Sequence, residues 1–221
     1  MTPKLKSEIP AAQDSLRALD FFAGCGLVRL GLDSRFRTVW ANDNSPKKLA
    51  VYEANFGSGV LDYRDVRDVR GSQLPAAELA WASFPCQDLS LAGNLSGIRR
   101  GSRSGLFWEW VRVLDELDEA GRRPPVLCVE NVVGFLSASG GDHFRAACKA
   151  LRKRKYAIGA VVVDARLFVP QSRPRSFLIA ASEELDLAPF SQTLPTLPFH
   201  NAVVVRAAED RKSTRLNSSH T

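Results

Sequence analysis

Short apolar runs that end abruptly in polar or glycine-rich sequence recur along this chain, and stretches of helical spacing separate them. The sharpest is Leu79-Ala80-Trp81-Ala82, which gives way to Ser83-Phe84-Pro85-Cys86-Gln87-Asp88-Leu89-Ser90. A short apolar run bounded by turn residues reads as a buried strand of a parallel sheet. Residues 17–22 run in the same way into Ala23-Gly24-Cys25-Gly26. Residues 37–41 end at Asn42-Asp43-Asn44, and residues 126–129 at Glu130-Asn131. Further strands are expected at 159–163 and 176–181.

The intervening stretches read as helices. One follows Gly26 as far as Leu32. Ser45 offers an N-cap and Pro46 a first helical position for residues 47–55. Phe107, Trp110, Val111, Leu114 and Leu117 recur at helical spacing, and residues 143–153 form a further helix. This alternation predicts an α/β fold with a mostly parallel sheet flanked by helices.

At 221 residues the chain has room for one well-cored domain. That domain is expected at residues 17–182, after an N-terminal tail (1–16) and before a tail (183–221) in which the α/β rhythm fades. Residues 201–208 could form one short element there. No long apolar span or leader-like segment stands out. Cys25, Cys86, Cys128 and Cys148 are scattered without a Cys-x-x-Cys pair. That spacing argues against a zinc site or a disulfide framework and suits a reducing cytoplasm. The formal net charge is +6, and residues 151–175 hold seven Lys/Arg against one acid. Such a basic run fits a polyanion partner, most simply nucleic acid, or equally a solvated helix face.

In open α/β sheets, ligands bind beyond the carboxyl ends of the strands, so the strand ends hold the candidates. Gly24 and Gly26, between strand and helix, let the backbone approach a ligand. Asp43 at the next strand end could accept ribose hydroxyls of a nucleotide-like cofactor. A purely structural turn fits those glycines as well. Cys86 could serve as a thiolate nucleophile in a field set by Arg99, Arg100 and Arg103. An isolated cysteine is more often inert core. Glu130, partly desolvated at its strand end, could donate a proton or hydrogen bond, or simply face a helix N-terminus. Arg173 and Arg175, two apart on an extended segment, point the same way and could grip one planar or phosphate group. A charge-protected sheet edge is the alternative.

Taken together and in this order, these pieces resemble the DNA (cytosine-5) methyltransferase family over about residues 18–181. Asp20-Phe21-Phe22-Ala23-Gly24-Cys25-Gly26 looks like that family's S-adenosylmethionine loop, with Leu27 where a glycine is commoner. Phe84-Pro85-Cys86-Gln87 is similar to its Pro-Cys motif, and Glu130-Asn131-Val132 to its Glu-Asn-Val motif. Gln171-Ser172-Arg173-Pro174-Arg175 resembles its Gln-x-Arg-x-Arg motif. Arg64-Asp65-Val66 and Arg103-Ser104-Gly105-Leu106-Phe107 are weaker matches.

The resemblance implies a Rossmann-like methyltransferase fold, S-adenosyl-L-methionine as cofactor and double-stranded DNA as partner. It assigns the catalytic roles to Cys86, Glu130, Arg173 and Arg175, with Cys86 adding to cytosine C6. Phe22, Gly24, Gly26, Asp43, Asp65, Pro85 and Leu106 would hold the cofactor, with no metal. The arginine-bearing loop from Asp88 to Arg103 would close over a flipped base. A monomer is expected, with a cognate restriction endonuclease as a possible cellular companion. Residues 182–221 show neither a target-recognition domain nor the family's later motifs, so a C-terminally truncated enzyme is expected. A non-catalytic DNA-binding protein on the same fold and a nucleotide-dependent oxidoreductase are the rival readings. The missing third glycine and the Pro-Cys motif count against the oxidoreductase.

Overall fold

The computed structural model describes residues 15–32, 35–85 and 105–190, with His200, Ala202, Val204 and Val205. Cys86, Arg99, Arg100, Arg103 and the expected closing loop lie outside the described residues.

Among the described residues seven strands form one sheet: β1 (Leu16–Phe21), β2 (Phe36–Asn42), β3 (Leu61–Asp62), β4 (Leu79–Ala82), β5 (Val126–Val132), β6 (Tyr156–Asp164) and β7 (Pro174–Ser182). Their order is β3-β2-β1-β4-β5-β7-β6. The first five pair in parallel, whereas β7 runs antiparallel to both β5 and β6. The helices are α1 (Leu27–Leu32), α2 (Pro46–Phe56), α3 (Leu106–Glu119) and α4 (Asp142–Lys153). The six expected strands all occur, three of them (β2, β6 and β7) longer at both ends. Ser45 precedes α2 as expected but makes no side-chain cap bond. Its own N–H instead donates to Asp43 Oδ1 at 2.9 Å.

Side chains alternate across a strand, so each strand feeds two layers. Leu19, Phe21, Leu127, Val129, Leu178 and Ala180 point into the main core. Phe107, Trp110 and Leu114 of α3 and Phe144, Ala147 and Leu151 of α4 close over them. Burying a side chain of this size is worth about 1.5–3 kcal/mol, so this layer holds most of the stability. The opposite face is thinner: Ala18, Leu79 and Cys128 are buried, with Trp81, Val126 and Phe177 only partly covered. Val204 joins the main core, so part of the expected C-terminal tail packs back on the domain.

Arg112 fastens α3 to the turn after β3. Its guanidinium donates to Val66 O and Val69 O at 3.1 Å while pairing with Glu109 and Glu116. The basic run does not form one patch. Strand β6 spans nine residues, about 27 Å at roughly 3.3 Å per residue. Arg152, Lys153, Arg154 and Lys155 therefore sit at one end of the sheet and Arg166, Arg173 and Arg175 at the other. The first group is partly occupied as well, since Arg154 is paired with Asp115. Among the described residues, no helix is long and apolar enough to cross a membrane.

Candidate active site

Strand order reverses between β1 and β4: from β1 the chain builds outward to β2 and β3, then returns to β4 on the other side. That reversal leaves a crevice beyond the two strand ends, the usual place for a ligand in such sheets. A cleft of about 130 Å³ opens there, lined by Phe22, Asn42, Asp43, Asn44, Lys48, Asp65, Val66, Arg67, Ser83, Pro85 and Leu106. A larger groove, about 550 Å³, runs beside Trp40, Asp62 and Arg64 at the β3 edge. It lies off the reversal, and its charged groups already satisfy each other: Arg64 pairs with Asp62 at 2.7 Å. The switch-point cleft is the stronger candidate.

Its floor is the turn after β1, where three residues out of five take left-handed backbone angles: Phe22 (φ 61), Gly24 (φ 57) and Gly26 (φ 85). The conformation costs glycine little but strains Phe22. The Phe22 ring meets Phe84 edge-on, with centroids 6.2 Å apart. Gly24 N–H donates to Asp43 Oδ2 at 3.1 Å. Gly26 packs against α2, where a Cβ would fall 2.5 Å from Phe56. Neither glycine lines the cleft; they shape the backbone that carries Phe22.

Asp43 is 4% exposed. It also meets Lys48 Nζ at 3.4 Å and so holds the turn, the start of α2 and one cation together. Asn42 Nδ2 donates to Asp62 O (3.0 Å) and Arg64 O (2.7 Å), which fixes the acidic turn opposite. Asp65 caps that turn through Arg67 N–H at 3.0 Å. Side-chain hydrogen bonds from Arg67 hold its carboxyl below the usual carboxylate range, against burial, with Asn44 adding a weaker bond.

The far wall comes from β4 and β5. Asn131 Nδ2 donates to Phe84 O at 3.2 Å, pinning the Phe84-Pro85 turn against the end of β5. Cys86 is the next residue and lies outside the described residues. Glu130 stands near the end of β5, and its carboxylate pairs with Arg175 Nε at 3.0 Å, each side chain about a quarter exposed. Arg173 is not brought to that pair. It precedes β7, its side chain is exposed, and its N–H donates to Asp164 Oδ1 at 2.8 Å. The expected matched pair of arginines is therefore one site arginine and one on the rim.

Of the other cysteines, Cys25 is exposed while Cys128 and Cys148 are buried. Burial, then the charge of Glu130, pushes the Cys128 thiol up to about 12, so it is no nucleophile at neutral pH. The sequence reading missed Asn44, Lys48, Arg67 and Ser83 on the cleft wall. Asn44 and Ser83 follow strand ends, which was the available signal; Lys48 lies within α2 and Arg67 in the turn after β3. Asp20, read as part of the cofactor loop, is instead buried, and among the described residues neither of its carboxyl oxygens has a hydrogen-bond partner.

Comparison with known proteins identifies the family. The chain matches the family described as C-5 cytosine-specific DNA methylase over residues 16–220. Type II methyltransferase M.HhaI of Haemophilus parahaemolyticus is 31% identical over 182 residues, 81% of this chain and 53% of that protein. Type II methyltransferase M2.BsuMI of Bacillus subtilis (strain 168) is 36% identical over 168 residues, 75% of this chain and 42% of that protein. The chain spans about half the length of the curated relatives it matches. The crystal structure of S. pombe Dnmt2 methyltransferase superposes with a TM-score of 0.60 at 21% identity, covering 83% of this chain and 57% of that one. That likeness supports the Rossmann-like methyltransferase fold. On the match across nearly its whole length, the chain belongs to the C-5 cytosine-specific DNA methylase family.

Proposed function

We propose that this chain carries the catalytic part of a DNA cytosine-5 methyltransferase, which moves a methyl group from S-adenosyl-L-methionine to C5 of a cytosine flipped out of duplex DNA. The observation that carries this reading is the adjacency of two features across one short turn. On one side of Phe84-Pro85 lies the switch-point cleft; on the other lies the Glu130–Arg175 pair.

The donor set suits the cofactor. Asp43 can take ribose hydroxyls, Asp65 an exocyclic amine, and Phe22, Pro85 and Leu106 offer apolar surface for the adenosyl group. When bound, the cofactor supplies an electrophilic methyl on a sulfonium. Cytosine C5 is a poor nucleophile. Addition of the Cys86 thiolate to C6 forms an S–C bond and shifts the C5–C6 electron pair toward C5. Loss of the C5 proton after methylation, with departure of the thiolate, restores the ring. Glu130 is suited to hydrogen-bond the base at N3 and its amine, with Arg175 steadying Glu130 and reaching O2. The Type II names of the relatives favour a restriction–modification setting with double-stranded DNA as substrate.

The test is transfer of labelled methyl from S-adenosylmethionine to duplex DNA, alongside covalent trapping on DNA containing 5-fluorocytosine. Wild type should transfer and trap; Cys86→Ser should do neither while still binding cofactor. Cofactor binding by wild type without any trapping would overturn the role of Cys86 and favour a binding or accessory role on the same fold.

A further inference from the structure

The turn between β6 and β7 presents three large apolar side chains to water. Leu167, Phe168 and Val169 are 49%, 75% and 49% exposed. The tip is nevertheless well ordered. Asp164 accepts from the N–H groups of Arg166 and Arg173 (3.1 and 2.8 Å) and from Ser172 Oγ (3.1 Å), so one carboxylate staples both ends of the turn. Phe168 and Val169 N–H both donate to Ala165 O at 2.9 Å. A rigid turn holding apolar groups in water is a disfavoured arrangement that contact with a partner would relieve.

Position and charge point to the partner. Arg175 pairs across the sheet with Val132 of β5 and Val163 of β6, and Asp164 is the next residue. Phe177, opposite Glu130, also pairs with Val161, so Asp164 at the base of the tip stands three residues, roughly 10 Å, beyond Glu130. Arg166 flanks it with a side chain 71% exposed, paired only loosely with Asp164 at 3.3 Å. Arg173 flanks it on the other side without an ion pair among the described residues. Apolar tips between cations suit a ligand with flat apolar faces and a polyanionic backbone, namely duplex DNA. Apolar side chains wedge between base steps while cations hold the phosphates.

We propose that the Leu167-Phe168-Val169 tip is a DNA wedge, with Phe168 stacking into the base step beside the target and Arg166 and Arg173 gripping the flanking phosphates. This rests on the reading of Glu130 and Arg175 as the cytosine site and adds the element that helps open the duplex.

The test measures binding of the full 221-residue chain to a duplex containing cytosine, and to the same duplex with that cytosine mispaired, by fluorescence anisotropy across a salt series. Phe168→Ala should weaken binding to the paired duplex about tenfold, as expected for one lost base stack. The loss should shrink to less than about threefold where mispairing has already lowered the cost of opening. Phe168→Trp should restore binding, which a merely structural role would not require. Phe168→Ala should leave the salt slope unchanged, whereas Arg166→Gln should flatten it by about one. If Phe168→Ala binds both duplexes as wild type does, or wild type binds neither, the wedge is refuted. A change confined to solubility or oligomeric state would mean that the tip meets polypeptide instead. Cofactor binding, titrated in parallel, separates the cases: if it is intact, only the wedge fails; if it too is absent, the methyltransferase reading falls as well.

Discussion

Replacing Asp20 by Asn should change how stability depends on pH, because Asp20 is a carboxyl buried in the wrong state for neutral solution. It is 1% exposed, sits on central strand β1 between β2 and β4, and among the described residues neither oxygen has a hydrogen-bond partner. Burial, then the nearby charge of Asp43, pushes its pKa up to about 8, with Arg29 opposing. The unfolded chain releases this proton near pH 3.9, so between about 4 and 8 the folded state binds a proton that the unfolded state does not. Stability therefore falls as pH rises through that window, by at most about 1.4 kcal/mol per pH unit. A shift of about four units sets a ceiling near 6 kcal/mol, and the effective dielectric of real interiors brings the expectation to about 2–4 kcal/mol. Asn keeps the shape and cannot ionise. Urea unfolding of both proteins at about pH 5, 6.5 and 8 isolates the effect, because titrating groups not coupled to Asp20 cancel in the difference. Asp20→Asn should gain on wild type steadily as pH rises, by roughly 2–4 °C in Tm per kcal/mol. Parallel pH profiles for the two proteins would refute the reasoning.

Gly26→Ala combines a left-handed backbone (φ +85) with a Cβ 2.5 Å from Phe56 Cε2 and 2.9 Å from Tyr52 Cδ2. It should cost about 2–5 kcal/mol in urea unfolding, and a loss below about 1 kcal/mol would show that α2 yields easily. Asp43→Asn places an amide NH₂ against either Gly24 N–H or Ser45 N–H, both of which donate to the native carboxylate. It should lower stability by about 1–3 kcal/mol, and cofactor affinity by about tenfold or more in calorimetric titration if a charged bond to the ligand is lost. An unchanged dissociation constant would remove Asp43 from the ribose site.

Local chemistry made much of the fold legible. Apolar runs with turn residues behind them marked the strands, and Phe107, Trp110, Val111, Leu114 and Leu117 marked the buried face of α3, where all five are buried. The family resemblance named Phe22, Asp43, Asp65, Pro85 and Leu106, and the structure gathers those five around one cleft. What stayed hidden depends on partners distant in sequence. Nothing local in Ser176-Phe177-Leu178-Ile179 says that β7 inserts between β5 and β6 with its direction reversed. The basic run looked like one patch because spacing in sequence says nothing of a strand that carries its two halves to opposite ends. Asp20 read as part of a ligand loop, yet it points into the domain, because strand alternation had already turned Phe21 toward the main core.

The reversed strand explains how Arg175 reaches Glu130. A parallel β7 would need a crossover before re-entering the sheet, whereas an antiparallel one can follow β6 through a tight turn. Its register sets Phe177 opposite Glu130 and Arg175 opposite Val132. Residues two apart share a face, so Arg175 lies diagonal to Glu130 on the same side, within reach of a long side chain. A slip of one residue would turn Arg175 to the other face and bring Ser176, now buried, outward. Ser176 resists that slip: its Oγ donates to Asn131 O and Val132 O at 3.2 and 3.1 Å. Asn131 in turn holds Phe84 O through its side-chain amide. One small buried hydroxyl and one amide thus fix three things together: the strand register, the carboxylate–guanidinium pair, and the turn that leads to Cys86.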